Sequence, residues 1–330
     1  MTFSPTENAA CPVCGAREAQ PLQTLRDRLW SRPGVFQMAR CQVCSHGFLA
    51  VRPTQEGMGA YYEGLYDEVG VGIEEKLQRS VLAQMLNWRR MRALNARRRF
   101  RPGARHLDVG CGVSSLLRQL AARGLAAVGL DFEEAACQSQ RAYCEGLDVE
   151  LWRGTLDEAY DSAGGVVDEG RQRFASASMI HYLEHTFTPV EDLRRVYQRL
   201  EPGGAIVVEV PSIESFHRSL FQSYWLPYLP PQHISLFSRR SLRRAFKDAG
   251  FVGVRVRGAS APFIGLSSFA IWWTWVMGRK SSLSRPVQTL AWPLAFLWGA
   301  VVLLGDLGSF WLLAKSGHAD HLRVTAVKPR

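Results

Sequence analysis

Two acids bracket a glycine-rich turn in the stretch RHLDVGCGVSSLLRQLAARGLAAVGLD, from Arg105 to Asp131. Asp108 stands just ahead of Gly110-Cys111-Gly112, and Asp131 closes the apolar run Ala126 to Leu130. Glycines let backbone amides approach a ligand closely, and the start of a helix favours negative charge. A carboxylate at the end of the next strand can accept both hydroxyls of a ribose. Leu116, Leu117 and Leu120 recur at helical spacing until Gly124 stops the helix. The spacing therefore predicts strand, turn, helix, strand, with a nucleoside-containing cofactor at the carboxyl ends of the strands. A dinucleotide site expects G-x-G-x-x-G. Here Val113, Ser114 and Ser115 follow Gly112, so the third glycine is missing.

A second set of reactive groups lies near the N-terminus. Cys11-Pro12-Val13-Cys14 and Cys41-Gln42-Val43-Cys44 form two CxxC pairs with 26 residues between them. Four thiolates so spaced can surround zinc tetrahedrally and leave no open position, which makes the metal structural. The gap admits a β-hairpin, with Val35 to Arg40 as one strand. Gly15 and Gly47 are expected to allow the tight turn after each knuckle. His46 is read as lying beside the metal or at the surface, not as a ligand. The competing readings are a ribbon without metal and a redox dithiol, for which a second matching pair would be superfluous. The seven cysteines are odd in number. That suits a reducing compartment better than a disulfide framework. The first residues carry neither a basic nor an apolar region, so no signal peptide is expected and a cytoplasmic location follows.

Three histidines stand where a base would be useful. His181 and His185 belong to His-Tyr-Leu-Glu-His, directly after the apolar run Phe174 to Ile180. Their i, i+4 spacing is not HEXXH, so a metalloprotease is not indicated. His233 lies in Gln-His-Ile-Ser-Leu-Phe-Ser, after a long aromatic segment. An imidazole in a loop can take a proton from an acceptor hydroxyl. For each histidine the competing reading is a buried ring satisfied by backbone, and for His233 also the positioning of substrate.

Together these motifs resemble the class I S-adenosylmethionine-dependent methyltransferases. LDVGCG resembles the family's first motif. H-x-L-E-H followed by Pro189 resembles its fourth-strand motif. Leu200-Glu-Pro-Gly-Gly204 precedes the strand Ala205 to Val210 as the family's L-x-P-G-G does. The segment around His233, with a Phe-Ser pair capping a helix over Arg239 to Ala249, resembles the acceptor site. Tyr61-Tyr62-Glu63 and Tyr66 resemble a segment common after an N-terminal zinc ribbon. Two positions depart from the pattern: Ala175 follows Phe174 where Asp is usual, and Thr155 stands where many members have Asp.

The resemblance implies an α/β fold. Its centre is a Rossmann-like seven-stranded class I methyltransferase sheet, with an N-terminal zinc ribbon and a hydrophobic helical insertion between the last two strands. It implies that S-adenosylmethionine is held by Asp108, Gly110, Cys111, Gly112, Asp131, Phe132 and Thr155, and structural zinc by Cys11, Cys14, Cys41 and Cys44. It also implies in-line methyl transfer with His233 as the first candidate base, then His181 and His185. Oxygen is favoured over carbon or nitrogen by the family's habits. A sugar C- or N-methyltransferase, or a non-catalytic scaffold with a methyltransferase fold, are the alternatives.

The elements that would position these groups divide the chain into residues 1–50 as ribbon, 51–101 as linker and basic helix, and 102–330 as catalytic domain. The helix is expected over Glu74 to Phe100, with Arg89, Arg90, Arg92, Arg97, Arg98, Arg99 and Arg101 in its distal half. With a net charge of +10, that face is either solvated or drawn to an anionic membrane surface. Aromatic residues are too sparse there for base stacking, so no nucleic acid is expected. The insertion covers about residues 258–318. Gly258 to Gly278 and Pro286 to Gly305 are charge-free, and six of the ten tryptophans fall in the insertion. Each half is long enough to cross a bilayer. Crossing would place Arg279, Lys280 and Arg285 on the far side, against the positive-inside tendency. A hairpin embedded in one leaflet is therefore preferred, over spanning and over an oligomer interface or lid. The acceptor is then a small molecule, and a hydrophobic or lipid-linked one on the strength of the insertion.

Overall fold

Alternating apolar strands and amphipathic helices build most of the chain. The computed structural model describes residues 6–62, 76, 78–158, 173–259, 263–279, 299–302 and 315–330. These fall into two compact units: residues 1–61, 210–241 and 257–322 form one, and residues 62–209, 242–256 and 323–330 the other.

The second unit is organised on a seven-stranded sheet. Its strands are β5 (Arg105–Val109), β6 (Ala126–Asp131), β7 (Val149–Arg153), β8 (Phe174–Ile180), β9 (Leu200–Pro211), β11 (Val252–Ala259) and β12 (His321–Val327), in the order β7-β6-β5-β8-β9-β12-β11. β5 lies between β6 and β8, parallel to both. Leu107, Val109, Ala127, Val128, Leu130, Ala177 and Met179 of these central strands are buried, as are the polar His106, Asp108, Ser176 and Ser178, because helices cover both faces of a parallel sheet. The helices are α2 (Val81–Asn95), α3 (Ser115–Ala121), α4 (Glu134–Tyr143), α5 (Pro189–Arg199) and α7 (Arg239–Asp248). The sheet is the expected α/β methyltransferase one. The expected turn at Pro202-Gly203-Gly204 is absorbed into β9 as an irregularity instead. Phe174 pairs with Leu200 and the next paired residue, Ser176, with Ala205.

Helix α2 is shorter than its sequence pattern. Ser80 caps it by accepting the Ala83 amide at 3.2 Å, a contact of about 1 kcal/mol. Much of its basic half is occupied within the unit. Arg97 donates to the Gly253 carbonyl, Arg98 pairs with Glu201, and the Arg92 guanidinium lies 5.4 Å from the Trp88 ring. Arg90 is taken by a buried acid described below.

The first unit holds the ribbon. β1 (Thr6–Asn8), β2 (Ala19–Leu25), β3 (Phe36–Cys41) and β4 (Gly47–Pro53) pair in the order β1-β4-β3-β2, and β10 (Ser235–Leu236) adds to β4. α1 (Gln55–Tyr62) follows. The knuckle turns differ from expectation in one place. Gly15 takes the left-handed conformation after Cys14, but after Cys44 it is Ser45, with φ 62°. Gly47 is instead a close-packing position: a Cβ there would meet Ile213 Cδ1 at 2.3 Å. His46 is fully buried between Phe48 and Phe237, with Nε2 3.2 Å from Ser235 Oγ, so it is no surface residue.

The insertion enters the same unit as a helix, α8 (Ile264–Arg279), after the short α6 (Phe216–Phe221). Ser268 Oγ accepts the Leu226 amide at 2.9 Å, and Trp275 packs edge-on to Tyr224 at 5.2 Å. Arg28 from the ribbon lies 4.3 Å from the Tyr224 ring and 5.7 Å from that of Trp275. No described helix is long and apolar enough to cross a membrane. The expected second half of the hairpin lies almost wholly outside the described residues, as do residues 74, 75 and 77 of the expected helix ahead of α2.

Candidate active site

The glycine turn between β5 and α3 opens on a cavity of about 510 Å³ in the second unit. Gly110 has φ 66°, a left-handed conformation that glycine accepts without strain. A Cβ there would also lie 2.6 Å from the Tyr182 ring. Ser114 caps α3 through the Leu116 amide at 3.2 Å. Buried Gln140 of α4 brackets the turn, accepting the Ser114 amide at 2.6 Å and donating to its carbonyl at 3.0 Å.

Of the residues singled out in the sequence, Asp108, Gly110, Cys111, Gly112, Asp131, Phe132, Thr155, His181 and His185 all line this one cavity. Asp108 is buried, and burial pushes its carboxyl up to about 6. Asp131 is raised too by burial, against the backbone amides that it accepts. Phe132 is exposed, with its ring edge-on to Tyr62 at 5.9 Å. Thr155 turns its hydroxyl and amide to Glu158, at 2.9 and 3.0 Å.

His181 holds a left-handed backbone at the end of β8, with φ 56°, a conformation that costs a β-carbon residue of order 1–2 kcal/mol. Its Nδ1 lies 3.2 Å from the fully buried Glu184 carboxylate. The ring is 42% exposed, and it is onto this cavity that it opens. The surrounding protein and the nearby Arg90 push it down to about 4, so it is neutral at pH 7. His185 Nδ1 lies 3.1 Å from the Tyr62 hydroxyl. His233 belongs to the other unit, where it is buried and its Nδ1 donates to the Pro227 carbonyl at 2.7 Å. A carbonyl only accepts, so the neutral ring carries its lone pair on Nε2.

The sequence reading passed over the polar wall that α2 contributes. Arg90 lines the cavity and donates through Nε to Glu209 Oε2 at 2.8 Å and through Nη1 to Asn87 Oδ1 at 2.6 Å. Arg323 takes the other oxygen of Glu209. Asn87 continues to Ser115 Oγ at 2.6 Å, and Ser115 Oγ donates to Gln78 at 3.0 Å. Arg90 was read as one charge among many on a basic face. Only its acid partner on β9, far away in sequence, sets it apart.

A family model described as a methyltransferase domain matches residues 81–256. The chain belongs to this family. It is a class I S-adenosylmethionine-dependent methyltransferase by family, and the sheet order and the glycine turn agree with that. Among curated relatives, the ubiquinone biosynthesis O-methyltransferase of Alkalilimnicola ehrlichii is 34% identical over 107 residues, 32% of this chain and 40% of that one. The enzyme of the same name from Pseudomonas entomophila is 31% identical over 106 residues, 32% of this chain and 43% of that one. The chain thus spans about two fifths of the length of these relatives. Among solved structures, a Haemonchus contortus phosphoethanolamine N-methyltransferase 2, in complex with phosphomonomethylethanolamine and S-adenosylhomocysteine, superposes with a TM-score of 0.52 at 16% identity. It covers 86% of this chain and 63% of that one, and it shows the shared fold.

In the ribbon of this methyltransferase, the four cysteine sulfurs lie within 4.8 Å of one another. Cys11 and Cys44 are 3.5 Å apart, as are Cys14 and Cys41. A tetrahedron with Zn–S bonds of about 2.3 Å has sulfurs about 3.8 Å apart, so the donor set fits zinc. The neighbouring Cys11 thiol and burial push Cys44 up, and burial pushes Cys14 up. Such thiols ionise readily only against a cation.

Proposed function

We propose that this protein transfers the methyl group of S-adenosylmethionine to an oxygen of a small acceptor, with a neutral histidine as base. The observation that carries this reading is the convergence of the glycine turn, both acids and two histidines on one cavity. The cofactor supplies an electrophilic methyl group when bound. Asp108 would hold its ammonium group, Asp131 its ribose, and Phe132 and Thr155 its base, while the amides of Gly110, Cys111 and Gly112 would complete the cradle. Among the described lining residues Arg90, shared with Glu209, is the cation that would meet its carboxylate. The chain's remaining work is to align the acceptor and remove one proton. His181 and His185 present neutral or hydrogen-bonded imidazoles to that cavity, and His233 is the base candidate of the other unit. Structural zinc in the ribbon belongs to the same reading.

A hydrophobic or lipid-linked acceptor, met at the cytoplasmic face of a membrane, is the finer proposal. It is supported by α8, charge-free up to Gly278 and with Trp272 exposed, and by relatives named for ubiquinone biosynthesis. The test is methyl transfer from labelled S-adenosylmethionine to a panel of polyprenylated phenols and their unprenylated cores. Transfer that needs the prenyl tail, together with flotation on anionic liposomes, supports it. Transfer to the cores alone, with no flotation, removes the membrane part. No cofactor binding at all would leave only a scaffold.

A further inference from the structure

Strand β8 reads Phe-Ala-Ser-Ala-Ser-Met-Ile, two serines at alternate positions in an apolar run. Alternate residues share one face of a strand. The β5–β8 register places Ser176 beside His106 and Ser178 beside Asp108. Ser178 Oγ donates to Asp108 Oδ1 at 2.5 Å. Having given its only proton to the carboxylate, that oxygen can only accept from His106 Nε2, 2.8 Å away. His106 is thereby fixed as the Nε2–H tautomer. Its Nδ1 accepts from Ser176 Oγ, also at 2.8 Å. All four side chains are buried, none more than 2% exposed. The result is a row of three hydrogen bonds, every proton in it pointing towards Asp108.

Such a row serves an ionised carboxylate. A protonated Asp108 would accept from Ser178 only as a neutral oxygen, and the bond would be weaker. We propose that Ser178, oriented by His106 and Ser176, is a positioning residue that keeps Asp108 charged and aimed at the ammonium group of the cofactor. The inference rests on the reading of Asp108 as the acid that binds that group.

The groups around Asp108 set the direction of the effect. Burial raises its carboxyl to about 6, and Asp131 on β6 raises it further. Ser178 on β8, Ser114 at the start of α3 and Arg90 on α2 oppose that rise. His106 is pushed down to about 3 by burial, so it adds no charge. The Cys111 thiol is held well above its usual range and adds none either. Without Ser178, one of the opposing contacts is lost and Asp108 becomes neutral at a higher pH.

The test measures the affinity of the full chain for S-adenosylhomocysteine by calorimetry between pH 5.5 and 8.5. The wild type is expected to lose affinity as pH falls through about 6. In Ser178→Ala that loss should set in about one unit higher, with binding about twofold weaker at pH 7 and about eightfold weaker at pH 5.5, the shift expected for a lost hydrogen bond to a charged group. Ser178→Thr keeps the hydroxyl and should restore the wild-type profile. Should Ser178→Ala not fold, Ser178→Cys, a weaker donor, is expected to shift the profile in the same direction by less. A profile that superimposes on the wild type, or drops by one factor at every pH, overturns the proposal. Asp108→Asn separates the two levels. If it binds like the wild type, the reading of Asp108 itself fails. If it binds poorly while the serine variants do not shift, only the role of Ser178 fails.

Discussion

Asp131 Oδ2 accepts the amide of Gly112 at 2.8 Å, tying the acid at the end of β6 to the turn after β5. Its other oxygen accepts the Glu133 amide at 3.1 Å. Each carboxylate oxygen therefore has one backbone donor and keeps further lone pairs towards the cavity. The same side chain shapes the turn and, on the proposed reading, would hold the ribose. Asp131→Ala is expected to weaken S-adenosylhomocysteine binding by about 100-fold, the scale of one or two lost charge-assisted hydrogen bonds. Because the Gly112 amide also loses its acceptor, the thermal midpoint should fall together with affinity. Calorimetric titration and a melting curve on the same sample check this. Unchanged affinity would remove Asp131 from the cofactor site.

How much of this was legible follows from how far apart in sequence the partners lie. β5, β6, β7 and β8 came out of the sequence within a residue of their observed ends, because the apolar residues of each stand in a short run that a turn or loop follows. The cavity-lining acids and glycines were legible because the motif is local. Contacts across strands were not. Ser178 and Asp108 meet only through the β5–β8 register. The one available signal was the pair Ser176 and Ser178 on a single face of an apolar strand, which asks for a polar neighbour. Arg90 was lost among the arginines of its helix for the same reason, since Glu209 is reached only by folding. Gly47 was misread because two glycines following two knuckles suggested one role, while the packing of Ile213 against β4 imposed another.

Glu209 is 3% exposed and lies between Arg90 and Arg323. Burial alone would raise its carboxyl, but the two guanidinium groups hold it well below the usual carboxylate range. A carboxylate depressed in the folded state contributes stability that is present above the unfolded value of about 4.3 and lost as pH falls towards the folded one. Glu209→Gln leaves two partly buried cations without their anion. It should cost about 3–5 kcal/mol of unfolding free energy near pH 7. The acid limb should also flatten below about pH 5. Urea unfolding of both proteins at pH 7 and pH 4 checks this. The gap between them should narrow at the lower pH, and a constant gap would show that the charge of Glu209 is not what matters.

β2, β3 and β4 meet at the four cysteines, and beyond Leu25, Phe36, Met38, Phe48 and Leu49 this small sheet has little apolar core of its own. A domain of this size commonly depends on its metal for folding. The purified protein is expected to carry about one zinc per chain, released by a strong chelator with cooperative loss of ribbon structure. Cys41→Ser should lower zinc content and, at 37 °C, expose the ribbon to proteolysis between Cys14 and Cys41. S-adenosylhomocysteine affinity reads out the second unit separately, because the described residues that line its cavity all fall within 62–185. If that affinity survives chelation while the ribbon is cleaved, the metal is structural and local. If zinc is absent and the ribbon resists protease, the four thiols hold it without metal and the zinc reading falls.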